Sequence, residues 1–390
     1  MTGRRDHGDG GIDERGNDRW RLRYRVDGRR YTKTVQGSIT DAKRELRALL
    51  KAADDGEHVA PTRTTLAAWI ATWLTLIDRT VNTKTLERYS ELLYLHVEPT
   101  LGSRRLQSIK ATEVDALYRR LGDVLAPRTV HHIHTILNAC FKAAVRKGLA
   151  VLNPVALAEA PSPGDHDAAT TLDQDQLTAL VDGFRGTALF TIVAVAAYTG
   201  ARRGEILALR WSDFTGETLR IERALEDTKS HGVRFKGPKT ERGKRTIAID
   251  DGLAGLLSAE REKYLRLVAG IPDRAVADLS LVKLPTDALI FPSPAGPDFD
   301  LTRPRRPRNV TKEFVRHATK IGFPDLRFHD LRGTHETILL DAGVPVHVVA
   351  ARCGHDPAVL LRSYARRTRK ADTSAAAVIG NLSKSVLGVT

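Results

Sequence analysis

Two stretches of this 390-residue chain gather side chains suited to handling a phosphate. In Thr199-Gly200-Ala201-Arg202-Arg203-Gly204-Glu205-Ile206-Leu207 an apolar helix breaks at Gly200 and a strong helix former restarts it, which places Arg202 near a helix start. A guanidinium and a helix N-terminus then point at one spot, a natural place for an anion. The bland alternative, an arginine that pairs with Glu205 or caps a neighbouring helix, stands equally on this motif alone. The second stretch is Phe328-His329-Asp330-Leu331-Arg332-Gly333-Thr334-His335, followed by Ala351-Arg352-Cys353-Gly354-His355-Asp356 and then Tyr364. His329 and Arg332, spaced i, i+3, share a face on a helix and reach one phosphate. His355 precedes Tyr364 by nine residues, close enough for one helix-turn-helix unit to bring both to the same site.

Taken in order, the arginine of Thr-Gly-Ala-Arg, the lysine of Pro-Lys-Thr at Lys239, His-Asp-Leu-Arg, Gly-His and a tyrosine nine residues later resemble the tyrosine-recombinase signature of phage-type integrases. No single element decides, but five in sequence over Arg202 to Tyr364 make a specific pattern. The resemblance implies that Arg202 and Arg332 clamp a scissile phosphate and that Lys239 serves the leaving oxygen. It gives His329 and His355 proton transfer and phosphate hydrogen bonding, with Tyr364 as the nucleophile. Lys236 and Lys244 compete for the lysine role, since both fall in the same expected hairpin; the Pro-Lys-Thr context favours Lys239. One departure is Cys353, where relatives usually carry leucine. A small apolar cysteine fills such a core position without chemistry of its own.

The chemistry explains the residue types. A phosphodiester repels nucleophiles, and its pentacovalent transition state carries still more negative charge, so fixed guanidinium forks aimed at those oxygens supply much of the catalysis. No metal is required by such a scheme. A free tyrosine has a pKa of about 10, so a base or cationic field must help remove its proton; His329 is the candidate base. Attack joins Tyr364 to a 3′ phosphate and releases a 5′ hydroxyl. The bond energy stays in the phosphotyrosine, so a second 5′ hydroxyl reverses the step without ATP. Ordinary readings compete for each residue in isolation. A lone tyrosine among Arg362, Arg366, Arg367 and Arg369 is most often a surface aromatic on a basic helix. His335-Glu336 suggests a metal pair, but no second histidine stands at the spacing a metalloprotease helix uses. His131, His132 and His134 lack a completing cysteine or carboxylate and suit solvent or phosphate on a basic helix better than a metal.

These residues need elements to hold them. Trp20, Leu22, Tyr24 and Val26 alternate with Arg21, Arg23 and Arg25, the period of a strand. Asp27-Gly28 turns it into a returning strand over Arg30 to Val35, and Thr40 caps a helix to about Lys51. The arginine face, with Arg29, Arg30 and Lys33, points to nucleic-acid contact. After a linker over Ala52 to Arg63, Leu66, Trp69, Ile70, Trp73, Leu74 and Ile77 fall on one helical stripe. Further helices are expected at about Thr83 to His96, Thr112 to Leu121 and Arg128 to Lys147, with Arg128 and His131 as DNA-facing candidates. The second linker, Ala158 to Ala169, contains Pro161-Ser162-Pro163-Gly164. Beyond it come helices at about Gln174 to Gly183 and Thr187 to Tyr198, and strand-like pieces near Thr218 to Arg223, Val233 to Lys236 and Arg245 to Ile249. Ile271 to Pro307 reads as irregular apart from Leu289 to Phe291. The tail from Ala371 to Leu387 suits a helix that docks either on a neighbour or on its own domain.

Lys plus Arg total 61 against 47 acids, a formal charge of +14 spread along the chain, which favours a polyanion that the protein encloses. Two cysteines, Cys140 and Cys353, exclude a disulfide framework or Cys-rich zinc site. No apolar run approaches the roughly 20 residues of a membrane span, so a soluble, cytoplasmic protein is expected. The predicted fold class is multidomain α+β. It comprises a small β-hairpin/helix module (1–60) resembling arm-site-binding domains, an all-α four-helix core-binding, SAM-like domain (64–157), and a mixed, mainly α catalytic domain with a small antiparallel sheet (170–390). The family resemblance implies double-stranded DNA attachment sites as partner, a tetramer on DNA, a directionality factor and a host DNA-bending protein as accessories, and no cofactor or metal. Two rivals are a tyrosine-type topoisomerase, which would lack the N-terminal module, and a DNA-binding regulator, which would lack a catalytic residue.

Overall fold

The computed structural model describes residues 10–26, 28–55, 58–164, 170–237, 243–272, 275–294 and 300–367. Contacts divide the chain into two units, Met1–Asp165 and His166–Thr390.

The first unit opens with an antiparallel sheet of β1 (Gly11–Glu14), β2 (Arg19–Val26) and β3 (Arg29–Gln36), in that order. The two-residue period puts Leu22 and Tyr24 into a small core with Ala42 and Leu46 of α1 (Ile39–Asp54). β1 escapes the sequence reading because it is short and polar, with Ile12 its one large apolar residue. The helix starts at Ser38 and not at Thr40. Ser38 accepts from the Asp41 amide, and the Asp41 carboxylate accepts from the Ser38 amide, a reciprocal cap that contributes about 1 kcal/mol.

The expected apolar stripe forms α2 (Leu66–Ile77), with Trp69 donating its indole N–H to the Cys140 carbonyl at 3.1 Å. α3 (Thr83–Leu92) does not stop before Pro99. It widens into a π-turn at Leu93–Val97 and runs on as α4 (Glu98–Leu101), because Pro99 has no N–H to continue the α ladder and its ring crowds the preceding turn. α5 (Ala111–Gly122), α6 (Pro127–Arg146) and the short α7 (Pro154–Leu157) complete a core around Trp73, Leu117, Ile133, Leu137 and Phe141.

In the second unit, α8 (Gln174–Gly183) precedes α9 (Phe190–Thr199), which is buried continuously from Ile192 to Ala197 and forms its centre. α9 starts three residues later than expected, since Thr187 closes a turn on the Phe184 carbonyl. The one-turn α10 (Arg203–Ile206) leads to β4 (Thr218–Ile221), β5 (Ala224–Thr228), β6 (Gly232–Lys236) and β7 (Arg245–Ala248). Among the described residues the expected small antiparallel sheet takes the form of two pairs, β4 with β7 and β5 with β6. β5 is hidden in the sequence by Glu226 and Asp227. Glu226 is nevertheless buried, held at 3.3 Å by Arg234 and 3.0 Å by Lys236 across the pair. Five helices follow: α11 (Asp251–Ala269), α12 (Pro307–Lys320), α13 (Asp330–Asp341), α14 (Val346–Cys353) and α15 (Pro357–Arg367). α13 is buried from Asp330 to Thr337 and packs on α9.

Candidate active site

The site grows from the break after α9. Gly200 takes a left-handed conformation (φ 63°), and a Cβ there would meet His335 Cδ2 at 2.7 Å and Cys353 Sγ at 3.0 Å. Only glycine both caps α9 and lets α13 and α14 approach this closely. The chain then presents Arg202 as the residue before α10, as its sequence context predicts. Its guanidinium donates to Glu205 Oε1 at 2.8 Å and to the Gly354 carbonyl at 3.2 Å, while its amide donates to Glu205 Oε2 at 2.8 Å. The pairing with Glu205 is the bland reading of the motif realised, and it coexists with a position in the cluster.

Arg332, in the first turn of α13, is 2% exposed. Its Nη1 donates to the Gly200 carbonyl at 2.8 Å, its Nη2 to the Cys353 carbonyl at 2.5 Å and its Nε to His355 Nε2 at 3.1 Å. A guanidinium has five N–H groups, so these three contacts leave one on each terminal nitrogen with which to meet an anion. His355 follows Gly354, whose left-handed conformation (φ 64°) ends α14, and its own amide returns to the Ala350 carbonyl at 2.9 Å. Arg202, Arg332 and His355 are thus brought together on the Cys353–His355 turn.

His329 sits immediately before α13 and keeps an exposed edge. Partial removal from water, and after it the Arg332 charge, lowers its pKa. Lys239 lies outside the described residues. Its two competitors are described: Lys236 is paired with Glu226, and Lys244 is exposed. Tyr364 is half-buried on α15, and its hydroxyl donates to Asp341 Oδ1 at 2.8 Å. Asp341 ends α13 nine residues beyond Arg332, about 13 Å of helical rise away. The helix-turn-helix unit that was to unite His355 and Tyr364 exists as α14 and α15, but it holds the hydroxyl at the far end of α13.

Of the supporting residues, Arg245 escapes the sequence reading, which names Glu205 as a partner of Arg202 and His335-Glu336 as a metal pair. Glu205 is buried between Arg202 and Arg245, and Arg245 Nη2 reaches Glu205 Oε2 at 2.9 Å with both side chains almost sealed from solvent. Burial alone would raise the Glu205 pKa, but the Arg245 hydrogen bond and charge, then Arg202, outweigh it and the net shift is downward. Arg245 also donates to the Arg352 carbonyl at 2.7 Å. His335 and Glu336 diverge from each other. His335 Nδ1 bonds the Ala197 carbonyl at 2.9 Å and Nε2 accepts from Arg352 at 3.2 Å, while Glu336 faces Arg332 and His355. Burial, then the Arg352 charge, pushes the His335 pKa down to about 4. Glu336 was findable as the residue four after Arg332 on one helix face; Arg245 carries no local signal. Cys353 is buried, as its apolar role requires.

In the N-terminal sheet, register sorts the basic residues. Arg21, Arg23 and Arg25 lie opposite Thr34, Thr32 and Arg30 on the face away from α1, with Asp13 bonded to Arg21 and Arg23. Lys33 pairs with Leu22 in register and reaches Glu45 of α1 at 2.5 Å, and Arg29 pairs with Val26, so both belong to the helix side. Arg128 is exposed at the start of α6, and His131 Nδ1 bonds the Pro161 carbonyl at 2.7 Å. His132 edges onto Tyr89, and His134 bonds the Tyr118 hydroxyl.

A mainly helical unit with paired short strands thus holds an Arg–Arg–His cluster of a kind able to bind an anionic oxygen group. The phage integrase family profile matches residues 170–370, and the phage integrase central domain matches residues 66–160. The chain belongs to the phage integrase family, a family of tyrosine-type site-specific recombinases. It is 29% identical to an integrase of Streptomyces ambofaciens over 98% of this chain and 99% of that one, and 25% identical to a prophage phiRv2 integrase of Mycobacterium tuberculosis over 96% of each. Among solved structures it is similar to the Tn1549 transposon integrase in complex with transposon right end DNA (TM-score 0.65, 18% identity, 82% of this chain and 99% of that chain). It is also similar to a lambda integrase dimer bound to a core site (TM-score 0.59, 18% identity, 95% and 98%). Among the described residues, no helix is long and apolar enough to cross a membrane.

Proposed function

We propose that the chain cuts and rejoins duplex DNA through a 3′-phosphotyrosyl intermediate, integrating or excising a mobile element without metal or ATP. The observation that carries this reading is the convergence of Arg202, Arg332 and His355, from three separate parts of the sequence, on one turn. Arg202 and Arg332 hold the non-bridging oxygens and stabilise the charge of the pentacovalent state. Tyr364 Oη forms the bond to phosphorus as the bond to O5′ breaks. His329, whose lowered pKa keeps it neutral near pH 7, takes the tyrosine proton, and Lys239 protonates the leaving 5′ oxygen. His355 hydrogen-bonds the phosphate. The same steps in reverse, with a new 5′ hydroxyl, complete strand exchange.

The parts divide the labour as an arm-site-binding module (1–60), a core-binding domain (64–157) and a catalytic domain (170–390). Arg21, Arg23, Arg25 and Arg30 form the arm-contacting face, and Arg128 meets phosphate from the helical domain. The partner is a double-stranded attachment site, on which four protomers assemble, aided by a directionality factor and a host DNA-bending protein. Solved relatives described as a lambda integrase dimer on a core site and a tetramer on a Holliday junction support this assembly. The experiment is covalent trapping: wild type and Tyr364→Phe are incubated with DNA flanking the chain's own gene. A detergent-resistant adduct with wild type alone, together with recombinant junctions, is the expected result. Tight binding to a demonstrated site with neither adduct nor relaxation would overturn the reading.

A further inference from the structure

Arg202 and Arg332, the two cations at the Cys353–His355 turn, each stand beside a buried carboxylate. Glu205 Oε1 accepts from Arg202 Nη1 at 2.8 Å, and Glu336 Oε1 lies 3.1 Å from Arg332 Nε. Two guanidiniums against two carboxylates sum to no net charge, which gives an anion little reason to stay. Arg245 changes the sum. Its Nη2 donates to Glu205 Oε2 at 2.9 Å, the oxygen that also accepts from the Arg202 amide. Its Nε and Nη1 point inward, to the Arg352 carbonyl at 2.7 Å and the Gly243 carbonyl at 3.1 Å. The Arg245 side chain is 6% exposed against 40% for Arg202, so one arginine faces solvent and the other backs the carboxylate they share. Burial favours the neutral acid form of Glu205, but Arg245 and then Arg202 overcome it, so a negative charge is there to be balanced.

We infer that Arg245 is a positioning residue that serves as the counter-charge of Glu205 and so leaves the Arg202 guanidinium to an anion arriving from solvent. With Arg245 in place, three guanidiniums face two carboxylates and the cluster carries one net positive charge. Without it, the buried Glu205 would have Arg202 as its one remaining cation. The Arg202 fork would then turn a second N–H toward the same carboxylate, and its hold on a phosphate oxygen would weaken. Arg245 lies too deep to touch the anion itself, and acts through Glu205 and Arg202. A role confined to tying the Gly243 and Arg352 carbonyls would not depend on the charge of Glu205. The inference takes from the proposed function the placing of Arg202 at the scissile phosphate.

The test measures how well inorganic phosphate shields Arg202 of the full chain, without DNA, from phenylglyoxal, a reagent for guanidinium groups. Peptide mass spectrometry reads the adduct at Arg202, and chloride holds the ionic strength constant. Phosphate slows the reaction at wild-type Arg202. Arg245→Met raises the half-shielding concentration about tenfold, the weight of one charge roughly 12 Å away at an effective dielectric of about 20. Arg245→Lys keeps the charge without the forked contacts and stays near wild type. The double variant Arg245→Met/Glu205→Gln removes both charges and also returns to the wild-type range. No shielding in wild type, Arg245→Lys as weak as Arg245→Met, or a double variant no better than Arg245→Met would each overturn the inference. If thermal melting shows that Arg245→Met does not fold, the other two variants decide, since neither leaves Glu205 charged and unbalanced; shielding near wild type in both supports the inference, and loss in either overturns it. Shielding as expected in a chain that cuts no DNA would count against the proposed function and leave the role of Arg245 standing.

Discussion

Lowering the pH from 7 to 5 should loosen the α9–α13 core through one buried histidine. His335 titrates at about 4 in the folded chain against an ordinary 6.5, because burial and Arg352 oppose its charge. The unfolded chain therefore takes up a proton near pH 6.5 and the folded chain not until about pH 4. Between those values the unfolded state binds more protons, so stability falls as pH falls, and the contribution is fully present only above the unfolded value. The ceiling is about 3.4 kcal/mol, at about 1.36 kcal/mol per unit. Between pH 7 and 5 the same two constants give a loss of about 1.8 kcal/mol, or about a 20-fold weaker equilibrium. Amide hydrogen exchange of peptides from α9 and α13, corrected for the intrinsic rate, reads this directly as a fall in protection. His335→Gln supplies the control, since it removes the titration while keeping a donor and an acceptor between Ala197 and Arg352. Equal falls in wild type and variant, or no fall in wild type, would refute the reasoning.

Other outcomes follow from the same geometry. Gly200→Ala puts a Cβ into His335 and Cys353 at a left-handed position, and should destabilise the second unit by more than about 1–2 kcal/mol, seen in thermal melting. Arg245→Met leaves Glu205 buried without its most enclosed partner, a loss of about 3–5 kcal/mol in denaturant titration. Arg332→Lys cannot reproduce contacts with Gly200, Cys353 and His355 at once; it should retain DNA binding in a mobility-shift assay but cut about 100- to 1,000-fold more slowly. Arg25→Ala should flatten the dependence of DNA affinity on salt by about one unit of log–log slope, whereas Lys33→Ala, already tied to Glu45, should leave the slope unchanged.

Local chemistry made much of this legible in advance. The break at Gly200 announced Arg202 at a helix start, and the apolar spacing from Leu66 to Ile77 gave α2 outright, because each signal is carried by residues within a few positions. What stayed hidden depends on partners far along the chain. Glu226 disguises β5 as a loop until Arg234 and Lys236 neutralise it from the next strand. Lys33 joins the arginines in any reading by eye, and only the register with Leu22 turns it toward α1. Arg245 reaches Glu205 from 40 residues away, with nothing in its neighbourhood to mark it. Pro99 suggests a helix stop; the fold absorbs it as a wide turn because Val97 and Leu101 on either side are wanted in the same core.

The hydrogen bond from Tyr364 to Asp341 has a consequence for safety. A protein with a charge of +14 will rest on any DNA it meets, and a permanently armed cutter would scar every sequence it rested on. On the proposed function, in which Tyr364 attacks DNA, its hydroxyl is held by Asp341 at the far end of α13, and the cutting rate is scaled by the fraction of time it leaves that partner. Each 1.4 kcal/mol of preference for Asp341 lowers the rate about tenfold. On that reading idle contact does little harm, and a DNA complex that favours the displaced tyrosine is what raises the rate.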